Sequence, residues 1–493
     1  MVSKQAIRVR IAPSPTGYFH IGTARTALFN WLFAKKHGGV FIVRIEDTDT
    51  ERSEKKFEQD ILEELQWLGL EWQEGPGDKG DYGPYRQSER GAIYERYVKK
   101  LLEEKHAYYC FCTKEELEAM RQNMLTEGSA PKYSGRCRNL SAADIKSKME
   151  KSESSVIRFK TPEIEITFHD LIRDKVSFDM ALVGDTVIAK TPREPLYNFA
   201  AVIDDFEMKI SHVIRAEDHL ANTPKQILIQ RTLGFPEIQY AHLPLILNSD
   251  RSKMSKRFAA TAIAEYRQAG YLPEAIINFI ALLGWHPKSE GANVKEKEIF
   301  TKEELVEKFD LKRVQKGGAV FNQEKLDWIN SQLIKKLTNE ELLTRLKALV
   351  KIPDTLDKKQ VLKILNGVKE RLKKLTDFTE LADFFFKVPD YPASLLIWQK
   401  TNPEKISENL KSALEIFEKL SAGKFITEDL TEALLPLTEK ESRGAVLWPI
   451  RAALSGKEAS PGPFEIMEIL GKNESMVRIK AAIAKLDTTG NLF

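Results

Sequence analysis

A strand, a helix and a second strand follow one another at the start of the chain, and this order limits the fold more than any other feature. Residues 6–12, AIRVRIA, alternate as a strand does. Apolar residues then recur at helical spacing from Ile21 to Leu32, and VFIVRI at 40–45 predicts the next strand. A helical crossover of this length joins parallel strands with right-handed topology. The sequence therefore predicts a doubly wound α/β sheet.

The alternation of strands and helices is interrupted at about residues 108–190, resumes after that and ends at about residue 330. KISHVIRA (209–216) and IQYAHLPLILN (238–248) restore it, whereas strand patterns end at about residue 330 and leucine-rich helical periods follow. We predict a split Rossmann-type α/β domain and an all-α body, divided as follows: first catalytic half 1–107, insertion 108–190, second half 191–250, loop and linking helical domain 251–330, and α-helical domain 331–493.

Composition excludes several classes of protein. The 493 residues are 42% hydrophobic and 30% charged, which is typical of a globular chain with several cores. The 75 basic and 72 acidic residues nearly balance, so a polyanion must bind to a local patch. No segment approaches the roughly 18 apolar residues that cross a bilayer, and three cysteines are too few for a disulfide framework. We expect a cytoplasmic protein that does not enter a membrane.

The first strand leads into the helix through PSPTGYFHIGT, residues 13–23. Ligands bind at the carboxyl ends of parallel strands, where helix N-termini offer N–H groups to phosphates. Gly17 and Gly22 would allow a close approach to the backbone, and His20 can donate a hydrogen bond to a phosphate. A plain β–α turn is the alternative, because the segment matches no nucleotide fingerprint.

A second polar segment, LILNSDRSKMSKRFAA (245–260), follows a predicted strand. It carries four basic residues at close quarters: Arg251, Lys253, Lys256 and Arg257. Their charges repel one another unless a polyanion such as a triphosphate shares them. A solvated basic loop is the alternative when the cluster is considered alone.

HIGT (20–23) and KMSKR (253–257) resemble the HIGH and KMSKS motifs of class I aminoacyl-tRNA synthetases. The resemblance is to bacterial-type glutamyl-tRNA synthetase over nearly the whole chain, and Thr23 in place of a second histidine looks normal for that branch. Further similar stretches are VFIVRIEDTDTERS (40–53), GPYRQSER (83–90), PLYNFAAVIDDFEMKISHVIRAEDHLANTPKQI (195–227) and GYLPEAIINFIALLGW (270–285).

The resemblance implies that L-glutamate is activated with ATP and Mg²⁺ to glutamyl-adenylate and then transferred to the terminal adenosine of tRNA(Glu). It also implies that the insertion binds the acceptor end of the tRNA, that the helical body binds the anticodon, and that the protein is a monomer. Catalytic and ATP-binding positions carried over from the family are His20, Gly22, Asp218, Lys253 and Lys256.

Choice of glutamate over glutamine should depend on charge, and arginine offers a two-pronged match for a carboxylate. By resemblance, Arg10 and Arg215 are the carboxylate readers. The other positions implied to hold the amino acid are Ser14, Glu46, facing the ammonium group, and Tyr197. The alternatives are an exposed strand charge at Arg10 and a salt bridge from Arg215 to Glu217 or Asp218.

The cysteines form CFC, with Cys110 and Cys112, followed by Cys137. Zinc-containing relatives have a histidine two residues beyond the last cysteine, where this chain has Asn139. Structural zinc takes four ligands. Either the three thiolates bind zinc with an outside ligand such as His106, or the site no longer binds zinc.

Three other functions stay open beside a ligase that glutamylates tRNA(Glu) alone. The first is an enzyme that also glutamylates tRNA(Gln). The second is the short relative that modifies queuosine in tRNA, but the long helical region past Asn330 argues against it. The third is a non-catalytic tRNA-binding paralogue, which the intact motif residues disfavour.

Lys256 matches the second lysine of the KMSKS motif and should contact charge that grows in the transition state. Replacing one such donor costs about 3 kcal/mol, so Lys256→Ala should lower kcat for adenylate formation by about a hundredfold. Affinity for tRNA should be nearly unchanged. Pyrophosphate exchange in the presence of tRNA measures the first effect, and near-wild-type exchange would contradict the assignment.

Overall fold

The computed structural model describes residues 6–77, 80–254, 262–288, 297–353 and 356–489. The chain divides into two compact units. The first comprises Met1–Arg267 and Pro273–Gln323, and the second comprises Gln268–Leu272 and Glu324–Phe493. In the described ranges, no helix combines the length and the apolar character needed to cross a bilayer.

The first unit contains both strands and helices. The strands are β1 (Arg8–Ile11), β2 (Val40–Val43), β3 (Ala107–Cys110), β4 (Val156–Phe159), β5 (Glu165–Asp170), β6 (Asp174–Asp179), β7 (Thr186–Thr191), β8 (Glu194–Pro195), β9 (His212–Ala216), β10 (Gln239–Leu243), β11 (Ile246–Leu247) and β12 (Ala319–Val320). The helices are α1 (Ile21–Lys36), α2 (Lys55–Trp67), α3 (Gly91–Glu103), α4 (Lys114–Thr126), α5 (Ala142–Glu150), α6 (Tyr197–Glu207), α7 (Thr223–Leu233), α8 (Ile263–Gln268), α9 (Pro273–Ala281) and α10 (Lys302–Lys308).

The predicted β-α-β unit is confirmed. Strands β1 and β2, which precede and follow α1 in the sequence, pair directly in parallel, with Arg10 opposite Ile42. A backbone hydrogen bond of 2.9 Å from Ser211 N to the Arg8 carbonyl joins β1 to the start of β9, and β9 in turn pairs in parallel with β10. The carboxyl ends of β1 and β9 therefore lie side by side, which is where an open α/β sheet binds its ligands.

The insertion is more divided than its sequence indicates. Strands β3, β4, β7 and β8 form an antiparallel sheet of their own, whereas the β5–β6 hairpin lies beside β10 in a sheet of order β6-β5-β10-β9. Residues 165–179 fall inside the range 108–190, yet they extend the catalytic sheet. Strand patterns show that a segment pairs but not with which partner, so the limits of the insertion stay a prediction.

The second unit is helical, as the sequence predicts. Its helices are α11 (Gln323–Lys336), α12 (Asn339–Lys347), α13 (Lys358–Val368), α14 (Asp377–Phe386), α15 (Pro403–Lys419), α16 (Thr427–Lys440), α17 (Arg443–Ser455) and α18 (Pro463–Thr489). Capping boxes begin α12 and α13, at Thr338 and Asp357. Gly471, with φ of 78°, interrupts α18 and divides it into two helices.

Helix α1 is buried over most of its length, and its connection to β2 passes very close to the N-terminal strand. A β-carbon at Gly39 would lie 2.4 Å from the carbonyl oxygen of Ile7. Val40 N also donates to that carbonyl, at 2.9 Å. Only a glycine fits here without moving the backbone that aligns β2 with the start of the chain.

We expect Gly39→Ala to lower the free energy of unfolding of the first unit by about 1–3 kcal/mol, the usual cost of overpacking. Gly317→Ala is the matched control, because no atom of the described residues other than Gly317 and its two chain neighbours lies within 4 Å of its added β-carbon. Thermal unfolding followed by circular dichroism compares the two. Equal midpoints would show that the backbone moves away from Gly39 at no cost.

Candidate active site

One cleft of about 1250 Å³ opens at the carboxyl ends of β1 and β9, beside the N-terminus of α1. It brings together every site residue predicted from sequence that the structure describes, apart from the cysteines. These residues are Arg10, Ser14, His20, Gly22, Glu46, Tyr197, Arg215, Asp218 and Lys253. Lys256 lies outside the described residues. The strand–helix junction is therefore part of a cleft and not only a plain turn.

His20 is the N-cap of α1. Its Nδ1 atom accepts hydrogen bonds from the backbone N–H groups of Gly22 and Thr23, at 3.2 and 3.3 Å. An accepting Nδ1 leaves the proton on Nε2, which lies 3.0 Å from the Thr23 hydroxyl oxygen. Two of the N–H groups that the sequence analysis offered to phosphates are thus bonded within the motif, and Thr23 holds the imidazole ring in place.

Lys253 and Asp218 contact each other across the cleft, with Nζ 3.3 Å from Oδ2. Both side chains are largely exposed, 64% and 46% respectively. An ion pair so open to water contributes little to stability. Either group can exchange its partner for a ligand at little cost.

The base of the cleft holds a buried network of charge. Arg10 donates to both oxygens of Asp205, at 3.0 and 3.3 Å, and is only 4% exposed. Arg44 donates to Asp205 at 2.7 Å and to Glu46 at 2.9 Å. Burial would raise the pKa of Asp205, but the two arginines hold it below its ordinary value. The alternative of an exposed strand charge at Arg10 is therefore wrong.

Asp204 extends the network to a third arginine. Its carboxylate accepts from Arg90 at 2.6 Å, from Gln87 at 2.8 Å and from Tyr94 at 2.9 Å. Three buried arginines, at positions 10, 44 and 90, thus face three buried carboxylates, at positions 46, 204 and 205. Two of these carboxylates, Asp204 and Asp205, were not predicted from the sequence, although adjacent acidic residues within an apolar helix, NFAAVIDDFE, are a signal of buried charge.

Arg215 is the exception to this balance. Its guanidinium donates to the Thr223 hydroxyl at 2.8 Å, to His242 Nε2 at 3.2 Å and to the Tyr197 hydroxyl at 3.4 Å. Within the described ranges, no carboxylate lies within ion-pair distance of Arg215. The predicted alternative, a salt bridge to Glu217 or Asp218, is not formed.

The neighbours of Arg215 are neutral polar groups. The Tyr197 hydroxyl lies 3.0 Å from His219 Nδ1. Burial, reinforced by the positive charge of Arg215, lowers the pKa of His219 to about 4. The imidazole is therefore uncharged near neutrality and does not compete with Arg215 for an anion. Burial also raises the pKa of Tyr197, which keeps its proton.

The three cysteines converge away from the cleft. The sulfurs of Cys110, Cys112 and Cys137 all lie within 4.8 Å of one another, and those of Cys112 and Cys137 are 3.6 Å apart. Zinc–sulfur bonds of about 2.3 Å in a tetrahedral site put two sulfurs about 3.8 Å apart, so the cluster fits zinc. His106 does not belong to the cluster, and Asn139 is exposed.

A fourth potential ligand atom, the hydroxyl oxygen of Tyr133, lies beside the three sulfurs of the cysteine cluster. The Tyr133 hydroxyl lies 3.3 Å from the sulfur of Cys110 and 3.5 Å from that of Cys112, and it accepts the backbone N–H of Cys137 at 3.0 Å. The sequence pointed to position 139, beyond the last cysteine, and to His106 as an outside ligand, and Tyr133 was not predicted. Its position four residues before Cys137 gave no signal by itself.

A parallel sheet that brings the HIGT junction together at one cleft with Lys253 and Met254, the first two residues of the KMSK motif, defines a class I aminoacyl-tRNA synthetase. Residues 6–328 match the family model for class I tRNA synthetases (E and Q), catalytic domain, and residues 326–483 match an anticodon binding domain. The chain belongs to the glutamate–tRNA ligase family of this class.

Relatives cover nearly the whole length of the chain. Glutamate–tRNA ligase 1 of Caldanaerobacter subterraneus is 44% identical over 97% of this chain and 97% of its own. Glutamate–tRNA ligase of Carboxydothermus hydrogenoformans is 43% identical over 96% and 99%. The crystal structure of a glutamate tRNA ligase from Elizabethkingia meningosepticum in complex with its amino acid has a TM-score of 0.86 and 37% identity, over 97% of this chain and 99% of that one.

Proposed function

We propose that this chain activates L-glutamate with ATP and transfers the glutamyl group to the 3′-terminal adenosine of tRNA(Glu). The relatives named as glutamate–tRNA ligases support this function along the full length. Within the chain, the observation that carries it is Arg215, a buried cation at the cleft whose neighbours are neutral. A desolvated guanidinium without a protein carboxylate favours a ligand that brings one.

Arg215 is then the principal reader of the side-chain carboxylate of glutamate. Arg10 lies in the same cleft, but Asp205 already neutralises it, so its contribution would be to hold the floor and to donate a remaining N–H. Glutamine presents an amide NH₂ group in place of one oxygen, which would oppose the guanidinium donor with another donor. Discrimination by charge and by donor pattern would act together.

Glu46 is the group proposed to face the substrate ammonium. It is 5% exposed and accepts from Arg44 at 2.9 Å. Burial raises the pKa of Glu46 above its ordinary value, although Arg44 opposes that shift. An arriving ammonium group would favour the ionised carboxylate, so amino-acid binding and the charge of Glu46 would reinforce each other.

ATP would bind on the other side of the cleft, between the HIGT junction and the KMSK loop. His20 lines this side of the cleft, and its Nε2–H would exchange the Thr23 hydroxyl for a phosphate oxygen, while Gly22 would allow a close approach to the backbone. Lys253 would exchange Asp218 for the triphosphate, which frees Asp218 to accept from a ribose hydroxyl. Mg²⁺ would arrive with ATP and help to neutralise its phosphates. This chemistry consists of positioning and charge stabilisation, without a protein nucleophile.

The second unit is proposed to bind the anticodon arm of the tRNA. Its match to an anticodon binding domain supports this role, and a basic segment adds to it, with Lys358, Lys359 and Lys363 on α13 and Lys373 and Lys374 before α14. Phosphate contacts from such residues supply affinity that falls with salt.

A structural zinc ion is proposed for the insertion, with Cys110, Cys112, Cys137 and the Tyr133 hydroxyl as its donors. The metal would hold the CFC segment to the loop that carries Cys137 and would take no part in the reaction. Three thiolates and one oxygen make a four-donor set of the kind that zinc accepts.

The function is tested by charging assays with purified tRNA(Glu), ATP and either glutamate or glutamine. Arg215→Ala should lower kcat/KM for glutamate by about 10³ to 10⁴, since a site built to match a polar group loses that much without it. The KM for ATP should change little. Arg231→Ala, which removes an exposed arginine of α7, is the control, and should charge like the wild type.

Parallel assays with tRNA(Gln) decide whether the enzyme is discriminating. An Arg215→Ala variant with wild-type kcat/KM for glutamate would show that another residue reads the carboxylate. A wild-type chain that binds tRNA but charges neither tRNA with glutamate would leave the non-catalytic paralogue as the function.

The zinc proposal is tested by metal content and by cobalt substitution. The wild type should retain about one zinc per chain through dialysis, and Tyr133→Phe should lose it to a chelator roughly ten times faster, as expected when one donor of the set is removed. Asn139→Ala is the control and should retain zinc. If Tyr133→Phe and the wild type gave the same release rate and the same cobalt spectrum, Tyr133 would not be a ligand.

A further inference from the structure

Behind Arg215 lies a buried pair that the reaction itself does not use, Asp170 and His242. Neither side chain has any exposure to solvent. His242 Nδ1 lies 2.6 Å from Asp170 Oδ2, and His242 Nε2 lies 3.2 Å from the Nε atom of Arg215. An acid, an imidazole and a guanidinium thus form a line that ends at the cleft.

Three adjacent parallel strands hold this line. Asp170 ends β5, His242 lies in β10 and Arg215 lies in β9. His242 and Arg215 are direct cross-strand partners, and Asp170 pairs with Tyr240, two residues before His242. The sheet therefore fixes the spacing of the three side chains. A substitution at Asp170 would affect Arg215 through the imidazole ring of His242.

The donors and acceptors allow only one tautomer of His242. Arg215 Nε always carries a hydrogen, so the His242 Nε2 atom that faces it must be the acceptor. Thr223 accepts from Arg215 at 2.8 Å and can donate its own hydrogen to His242 Nε2 at 3.0 Å. The ring proton is then on Nδ1, where it is donated to Asp170.

Asp170 is built to stay ionised. Its Oδ1 atom accepts the backbone N–H groups of Ile172 and Arg173, both at 2.9 Å, and Oδ2 accepts from His242. Burial opposes ionisation, but the bond from His242 and these backbone bonds together lower the pKa of Asp170. A permanent carboxylate fixes the His242 tautomer.

The placement of this carboxylate differs from that of Asp205. Asp205 contacts Arg10 directly and neutralises it. Asp170 is separated from Arg215 by a neutral imidazole, so it compensates part of the cationic charge at a distance while leaving the guanidinium N–H groups on the cleft side available. A carboxylate in direct contact with Arg215 would compete with the substrate.

We propose that Asp170 and His242 are positioning residues for amino-acid selection, which hold the Nε edge of Arg215 so that its outer N–H groups meet the substrate carboxylate. The inference rests on the proposed function, because it gives Arg215 the role of reader. Neither residue touches the substrate. Both act on which amino acid is accepted and how tightly.

Asp170→Asn is the principal test. The amide oxygen would keep the bonds from the backbone N–H groups of Ile172 and Arg173, which turns the NH₂ group to Nδ1. The ring proton would then move to Nε2 and oppose the Arg215 donor with another donor. We expect KM for glutamate to rise roughly tenfold to a hundredfold, as for a misplaced binding group, and the preference for glutamate over glutamine to fall. The KM for ATP should stay within about twofold of the wild type.

Two variants of His242 separate positioning from packing. His242→Gln can still present an oxygen near the Nε2 position, whereas His242→Asn keeps only the bond to Asp170. We therefore expect the glutamate KM of His242→Gln to lie closer to the wild type than that of His242→Asn. Asp174→Asn is the control for the hairpin, because Asp174 is 67% exposed and pairs only with Lys316 among the described residues.

The outcomes are distinct. A folded Asp170→Asn enzyme with wild-type glutamate KM and selectivity overturns the positioning role, and so does an equal rise of KM for glutamate and ATP. If Asp170→Asn does not fold, the order of the two His242 variants decides, and equal KM values for them overturn the proposal. A wild type that fails to charge tRNA with glutamate would instead overturn the proposed function.

Discussion

Pairing of buried charge is the constraint on which the catalytic unit depends. Arg10 and Arg44 lie beneath the cleft at the cost of their hydration, and that cost is acceptable only because Asp205 and its neighbours supply matching carboxylates. Removing one member would leave a partner charged and unsolvated. The network therefore fixes β1, β2 and α6 relative to one another, and with them the floor of the cleft.

Against this balanced background, an arginine that faces the cleft with neutral side-chain partners has a clear meaning. Arg215 donates to neutral partners, and the imidazole ring of His242 separates it from Asp170. The guanidinium is therefore held in position without a carboxylate in direct contact to neutralise its charge. Folding tolerates such a group because each of its three nitrogen atoms donates one hydrogen bond, which leaves the remaining N–H groups for a ligand. Specificity for an anionic side chain then follows from the same electrostatics that stabilise the sheet around it.

The geometry of the helix cap at His20 and of the cysteine cluster depends both on local sequence motifs and on the tertiary structure. His20 caps α1 through its own ring, so one residue both begins the helix and lines the cleft. In the insertion, the sequence brings two cysteines together through the CFC spacing, and the fold adds Cys137 and the Tyr133 hydroxyl. In each case a short sequence pattern supplies part of the geometry, and packing supplies the rest.

The sequence by itself determined the order of strands and helices and the positions of the HIGT and KMSK motifs, because periodicity and turn chemistry act over a few residues. The side chains expected at the cleft came from its resemblance to the family. The sequence could not determine which charges pair. Arg10 and Asp205 are 195 positions apart, and Asp170 and His242 are 72 apart. It also assigned the β5–β6 hairpin to the insertion, whereas the structure pairs it with β10 and so brings Asp170 behind Arg215. Only the tertiary structure decided these matters, because strand order and the burial of charge depend on contacts between segments that are distant along the chain.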